Sequence, residues 1–543
     1  MIATGFGMTG ELNYPDDVAV AEGDVLEVYG WCLFEGSRVA RVEVLLDGRA
    51  IGLARPFVDR PDVAEAFSHP DAPVAGFELL ARVEPGERAA ESQVAVEVTS
   101  LDGRRWCSRT RRMRWVEPGT QTGERGELLR RRGAAAIDRL PPRGSRVMVF
   151  AHGLSIGGGQ LWLLELLRQL VESAALDCTV VAFSDGPLRE VLEDLGVSVH
   201  VTALERVDDV DAYEGRVHEL ALLIRASGAG VVLANTLGLF APIDAAQRAG
   251  VPSLWAIHES LDPAVFSHIC WGASGMHPYV RSRFETCFQA TRGLVFVAPQ
   301  TSDVFARVCP ARKRFVVDYC ASLDAIDAYR ATLDRSTLRS AAGFDEDSVV
   351  VAVVGVFEAR KGQAAALAAF DELAAVHDRL RLVMVGAHES RYSTAVREQM
   401  LRCSAPGRVS LVPVTRDVYP WLGLADLFLC ASDVESLPRS IMEAMAFELP
   451  VVSTDAFGIA DLIDDGRTGW LTRPRDIEGL VGVLHSVLGM PYEERRKVGA
   501  QARIDVLQRP GANGYGRVFA RALAAFIDDP SCELDAAFAA SER

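Results

Sequence analysis

No C-x-x-C pair occurs among the ten cysteines, and none stands at zinc-binding spacing from a histidine. That pattern speaks against a structural zinc site and for reduced thiols in a cytosol. Cys32 and Cys107 both fall early in the chain, and a disulfide between them is left open. No apolar run reaches about 18 residues, so no bilayer-spanning helix is expected. The opening residues lack the basic start and apolar stretch of a secretory leader. The expected setting is therefore cytoplasmic, with any membrane role peripheral, at the inner face. Cations are in the minority: 57 Lys and Arg against 74 Asp and Glu give a formal charge of −17. A balance this acidic argues against nucleic acid as a partner. No internal repeat at solenoid periods is present.

What is there fits a globular protein of several domains: 543 residues, 49% hydrophobic and 24% charged. Residues 1–117 read as all-β. Asp24 to Leu33, Arg41 to Leu45, Gly76 to Arg82 and Gln93 to Ser100 are short alternating segments. Asp47-Gly48 and Asp102-Gly103 supply turn punctuation, a pattern that predicts a sandwich. A polar linker, 118–144, follows. Its Arg130–Arg132 run, with Arg109, Arg111, Arg112 and Arg114, makes region 104–146 basic. That region is either a solvated face or a peripheral contact with anionic lipid.

From Arg146 strands and helices alternate, which predicts parallel sheets with right-handed crossovers. One series covers 145–340 and a second covers 341–512. A tail, 513–543, opens with a helix expected to cross back to the first series. Two doubly wound units in succession suggest two lobes facing across a cleft.

Five segments carry candidate chemistry. In Ser432-Asp-Val-Glu-Ser-Leu-Pro-Arg-Ser-Ile-Met-Glu-Ala-Met-Ala446, Glu435 and Glu443 stand eight positions apart. The first lies on a loop at the carboxyl edge of a sheet, where open α/β folds bind ligands, and the second on the helix that follows. Gly355-Val-Phe-Glu-Ala-Arg-Lys-Gly362 follows a buried strand and puts Arg360 and Lys361 beside glycines. Ser155-Ile-Gly-Gly-Gly-Gln160 joins a strand to a helix; Gly158 and Gly159 allow close approach of a ligand to backbone N–H groups. It is not G-x-G-x-x-G, so a dinucleotide site is not implied. Trp255-Ala-Ile-His-Glu-Ser260 ends a strand and delivers His258 to its carboxyl edge. Asp345-Glu346-Asp347 has the D-x-D form of a metal site, but its place in a polar turn reads as a solvated loop.

The block from Glu435 to Glu443 resembles the E-x7-E element of retaining GT-B glycosyltransferases of the family 4-like group. Gly355 to Gly362 is similar to the group's G-R-x-x-x-x-K-G element, and Thr454 to Leu471 to its G-x-x-E-x-x-x-x-G-x-x-G-x-L ending. Gly30-Trp31, Val42-Glu43-Val44 and Arg60-Pro61-Asp62-Val63 look like the Ig-like domains found beside bacterial members. The resemblance implies an α/β GT-B fold of two Rossmann-like lobes preceded by a β-sandwich. It implies transfer of a sugar from a nucleotide-diphospho-sugar to an acceptor hydroxyl with retention, in cell-envelope glycan or glycolipid synthesis. It assigns Glu435 and His258 to catalysis. Donor binding falls to Lys361, Arg360, Glu443, Gly355, Leu437, Gly158, Gly159 and, near the base, Val414. No cofactor or metal is expected, because basic side chains manage the leaving group.

Two departures stand out. Val356 replaces the arginine after the glycine, and Pro438 removes a backbone donor where Phe-Gly is usual. They motivate a second reading, a non-catalytic glycan-binding scaffold; a nucleotide-sugar epimerase on the same fold is a further alternative.

Overall fold

The computed structural model describes residues 3–5, 8–13, 18–21, 25–82, 91–116, 146–174, 176–203, 209–272, 275–513 and 515–528. The linker 118–144, with Arg130–Arg132, and the end of the tail, 529–543, lie outside them, so the basic region is described only in part. The chain divides into two compact units: Met1–Pro118 with Ala321–Gln508, and Gly119–Cys320 with Arg509–Arg543.

The larger unit begins with two sheets. One runs Ala3–Gly5, Met8–Leu12, Val25–Phe34, Gly76–Arg82 and Arg55–Val58. The other runs Val18–Ala21, Arg111–Val116, Glu91–Ser100, Val39–Leu46 and Arg49–Leu53, with Arg105–Cys107 on Glu91–Ser100. Pairing is antiparallel except between Arg111–Val116 and Val18–Ala21, which is parallel. Alternate residues of Val39–Leu46 and Glu91–Ser100 are buried, the period-2 signature of one covered face. Val28, Phe34 and Phe77 of the first sheet meet Val44, Val96 and Met113 of the second in one core. Cys32 and Cys107 are both free thiols, the first buried and the second exposed, so no disulfide joins them.

The same unit contains a parallel sheet in the order Val409–Pro413, Leu380–Ala387, Val349–Val354, Leu427–Cys430, Val451–Thr454, Trp470–Thr472. Leu427–Cys430 and Val451–Thr454 are buried along their whole length, as expected for parallel strands covered on both faces. Order reverses between Val349–Val354 and Leu427–Cys430, the switch point where the strand ends splay and leave a crevice.

The β unit and this α/β layer are packed into one body. Phe57 and Val74 belong to the core formed by Leu367, Phe370 and Val396. Arg38, buried, pairs with Asp71 of its own layer and with Asp371 and Glu372 of helix Gln363–Ala374 and its end. Gln399 donates to Asp71 at 3.0 Å.

The division between units falls at 320/321, twenty residues earlier than the 340/341 boundary expected from sequence. Helices Leu323–Arg330 and Arg335–Ala341 go with the second sheet, because Arg335 and Arg339 both close on Asp426, which also accepts from the Val350 N–H at 2.8 Å.

The smaller unit is a seven-stranded parallel sheet: Ser198–Val201, Asp177–Ala182, Arg146–Ala151, Val231–Asn235, Ser253–Ala256, Gly293–Phe296, Arg314–Val316. Its switch point lies between Arg146–Ala151 and Val231–Asn235. The C-terminal helix Tyr515–Asp528 lies on helix Gly158–Ala174: the Tyr515 hydroxyl donates to Trp162 O at 2.6 Å, and the Gly516 N–H donates to Gln169 at 2.8 Å.

Candidate functional site

Each sheet carries a polar cluster at its switch point. In the larger unit the loop after Val349–Val354 ends in a short 3-10 turn, Ala359–Lys361, and the loop after Leu427–Cys430 lies alongside. Gly362 makes that approach feasible. Its φ is +71°, and a Cβ there would fall 2.1 Å from the Ala431 carbonyl oxygen.

The approach brings the Lys361 ammonium onto Glu435, and the Arg360 guanidinium to 3.8 Å from the other carboxylate oxygen. The Ser432 hydroxyl donates to Glu435 at 3.0 Å. Glu435 is only 8% exposed in its side chain. Burial pushes its carboxyl upward, but Lys361 and then Arg360 outweigh that and hold it below the usual carboxylate value. Arg360 also pairs with Glu358 at 2.7 Å and donates to Val434 O at 3.2 Å. The charge absent at Val356 is thus delivered to the same loop from Arg360.

Helix Arg439–Ala446 begins after Pro438 and buries Ile441, Met442 and Met445. Glu443 lies one turn inside it, nearly buried, and takes a 2.7 Å hydrogen bond from Arg439 Nε. Leu437 is buried; Gly355 underlies the Lys361 stem, its Cβ position 3.9 Å from Lys361 Cδ. The structure therefore brings together Lys361, Arg360, Gly355 and Glu435, with Leu437 and Glu443 on the adjoining loop and helix. Val414 is not part of that group: it follows Val409–Pro413, beyond the intervening strand Leu380–Ala387, and is 42% exposed. Asp345, Glu346 and Asp347 are exposed.

In the smaller unit the glycine loop and His258 meet. A Cβ on Gly159 would lie 3.3 Å from the imidazole, whereas Gly158 faces open space. Asn235, the last residue of its strand, donates to Gly159 O at 3.1 Å and turns its carbonyl oxygen to His258 Nε2 at 2.8 Å. Nε2 therefore carries the proton and Nδ1 keeps its lone pair. The Trp162 ring stands edge-on at 4.7 Å. Burial first, then His152, lower the imidazole pKa to about 3, so the ring is neutral at physiological pH.

Sequence reading passed over Ser432, Arg439, Asn235 and Trp162. Arg439 had a signal, since it stands four residues before Glu443 on a helix. Asn235 and Trp162 reach His258 through the fold, and no local pattern marks them.

Two doubly wound parallel sheets, one in each unit, are the architecture of the GT-B fold. The Anabaena protein HepE, in a complex with UDP and glucose, matches with a TM-score of 0.58 at 20% identity, over 70% of this chain and 99% of that one. A glycosyltransferase of Rickettsia africae matches at 0.59 and 15% identity, over 71% and 99%. At these identities the likeness is one of fold.

The sequence model named Glycosyl transferases group 1 matches residues 334–505, the stretch that holds Lys361, Glu435 and Glu443. A protein of Salmonella typhimurium, named as a candidate colanic acid biosynthesis glycosyltransferase (WcaL), is 32% identical over 159 residues, 27% of this chain and 38% of that protein. The amylovoran biosynthesis glycosyltransferase AmsK of Erwinia amylovora is 39% identical over 74 residues, 12% and 18% of the two chains. The chain spans less than half the length of the curated relatives it matches. Among the described residues no helix is long and apolar enough to cross a membrane.

Proposed function

We propose that the chain transfers a sugar from a nucleoside-diphosphate sugar to a hydroxyl of a glycan or glycolipid acceptor, with retention of configuration, in cell-envelope polysaccharide assembly. The observation that carries this reading is the convergence of Lys361 and Arg360 on Glu435 at a sheet switch point, with Glu443 on the next helix. In the reaction the bond from the anomeric carbon to the diphosphate breaks and one to the acceptor oxygen forms, while the acceptor's proton passes to the departing phosphate. Negative charge builds on that phosphate.

Lys361 and Arg360 would meet the charge, a fixed electrostatic contribution that requires no reorganisation at the moment of reaction. This is the basis for proposing a site that works without metal. In the resting protein Glu435 compensates the two cations. With donor bound, it would orient the sugar. Glu443, already aligned by Arg439, would accept hydrogen bonds from the ribose hydroxyls. His258, neutral and held by Asn235, would offer its unprotonated Nδ1 as an acceptor to a sugar hydroxyl. The curated relatives named for polysaccharide biosynthesis support the setting.

Calorimetry with UDP-, GDP- and ADP-sugars tests the proposal. At least one should bind, and Glu443→Gln should weaken that donor by about tenfold or more, the loss of hydrogen bonds to a charged acceptor. Absence of binding to every donor, or unchanged affinity in the variant, would contradict it.

A further inference from the structure

Arg55 belongs to the N-terminal β layer, on strand Arg55–Val58, yet its Nε donates to Asp433 Oδ2 at 2.6 Å. Arg475 Nε donates to the same oxygen at 2.9 Å, and Arg475 Nη1 returns to the β layer, donating to Leu53 O at 2.6 Å. Asp433 is 5% exposed in its side chain, so it sits between two guanidinium groups with little water to screen them. Arg475 holds this position with φ +68°, a left-handed backbone that side-chain-bearing residues seldom adopt.

Asp433 stands two residues before Glu435. Its N–H donates to Arg360 O at 2.9 Å, so the carboxylate clamped from the β layer lies on the backbone segment that carries one half of the site and touches the other. A single side chain from residue 55 thereby bears on both loops of the switch point. Both guanidinium groups reach the site through Asp433.

We infer that Arg55 is a positioning residue for the Lys361–Glu435 site, and that the N-terminal β layer serves the transferase as a wall holding loop 431–438 in its binding geometry. The inference rests on the proposed reading of that site. The layer is also held elsewhere: Arg402 donates to Ala64 O, Phe67 O and His69 O at 3.4 Å, away from Asp433. Arg402→Ala therefore loosens the same interface without touching the clamp, and serves as the control.

The experiment is amide hydrogen exchange on the full chain, read by mass spectrometry, for wild type, Arg55→Met, Arg55→Lys and Arg402→Ala, paired with titration of the tightest nucleotide sugar. Arg55→Met should speed exchange in 431–438 and weaken donor binding about tenfold, the loss of one charged hydrogen bond. Arg55→Lys should recover part of both, and Arg402→Ala should leave both at the wild-type level. Wild-type exchange in 431–438 for Arg55→Met, or equal changes in Arg402→Ala, overturns the inference. Should Arg55→Met fail to fold, Arg55→Lys is read against wild type by the same criteria. Should the wild type bind no donor, the functional reading falls, while the exchange measurements still decide whether Arg55 holds the loop.

Discussion

Replacing Lys361 with methionine should change the sign with which pH acts on the larger unit. Methionine keeps the stem over Gly355 and removes the charge. In the wild type Glu435 is held below its ordinary 4.5 because Lys361 and Arg360 outweigh burial. A carboxyl depressed in the folded state contributes stability in full above its unfolded pKa, and that contribution is lost as pH falls through the folded value. Without Lys361, burial is the largest influence left. Arg360 remains at 3.8 Å but is 37% exposed, so its field is screened.

The Glu435 pKa then rises above 4.5, and the variant loses stability as pH climbs through that value. Breaking a buried pair from one side costs about 3–5 kcal/mol. Because Lys361 is 23% exposed, and Ser432 and Arg360 stay, the expected loss at neutral pH is at the lower end, about 3 kcal/mol. One proton bounds the slope at about 1.4 kcal/mol per pH unit. Urea unfolding of wild type, Lys361→Met, Glu435→Gln and the double variant, between about pH 4 and pH 8, measures this. The gap between wild type and Lys361→Met should shrink as pH falls, and the double variant should recover most of the loss. A gap that stays constant or widens on acidification would refute the reasoning.

Three other outcomes follow from the same physics. Arg38→Met leaves Asp71 and Asp371 buried without their cation and should cost about 3–5 kcal/mol in urea unfolding of the larger unit; a loss under about 1 kcal/mol, the scale of an exposed pair, counts against the buried network. His258 has a depressed pKa, so the unfolded chain takes the proton first. Its contribution is complete above about 6.5 and drains as pH falls toward about 3. His258→Gln should flatten that limb in thermal melts, and parallel curves for the two proteins would refute it. Gly362→Ala sets a Cβ 2.1 Å from the Ala431 oxygen at a left-handed φ. The backbone preference alone costs about 1–2 kcal/mol, and displacement of loop 431–438 should weaken donor binding in the same titration; full stability with full affinity would exclude the close approach.

The two parallel sheets were legible because strands buried on both faces write themselves as apolar runs: Leu427–Cys430 and Val349–Val354 announce themselves, and the helix between Glu435 and Val451 shows in the spacing of Ile441, Met442 and Met445. Ser198–Val201 is not legible, for the opposite reason. As an edge strand it has no buried residue, so it carries no apolar signature. The sequence of 321–340 does not show which sheet it joins, because the contacts of Arg335 and Arg339 to Asp426 span about ninety residues and leave no periodicity.

The site divides the same way. Lys361, Glu435 and Glu443 could be picked out because each sits at a fixed offset from a strand end or helix start. What each carboxylate experiences could not be read, since that depends on which of 57 cations reaches it. Asp433 and Glu435 are two residues apart on one loop, alike in type and burial. Yet one is clamped by Arg55 and Arg475, and the other faces Lys361 and Arg360. Local sequence assigns both to a polar loop. Which of the two carboxylates is clamped is decided by Arg55 and Arg475, which are distant in sequence and adjacent only in the fold. A variant at residue 55 is therefore the sharper test of whether the β layer takes part in the chemistry of the switch point.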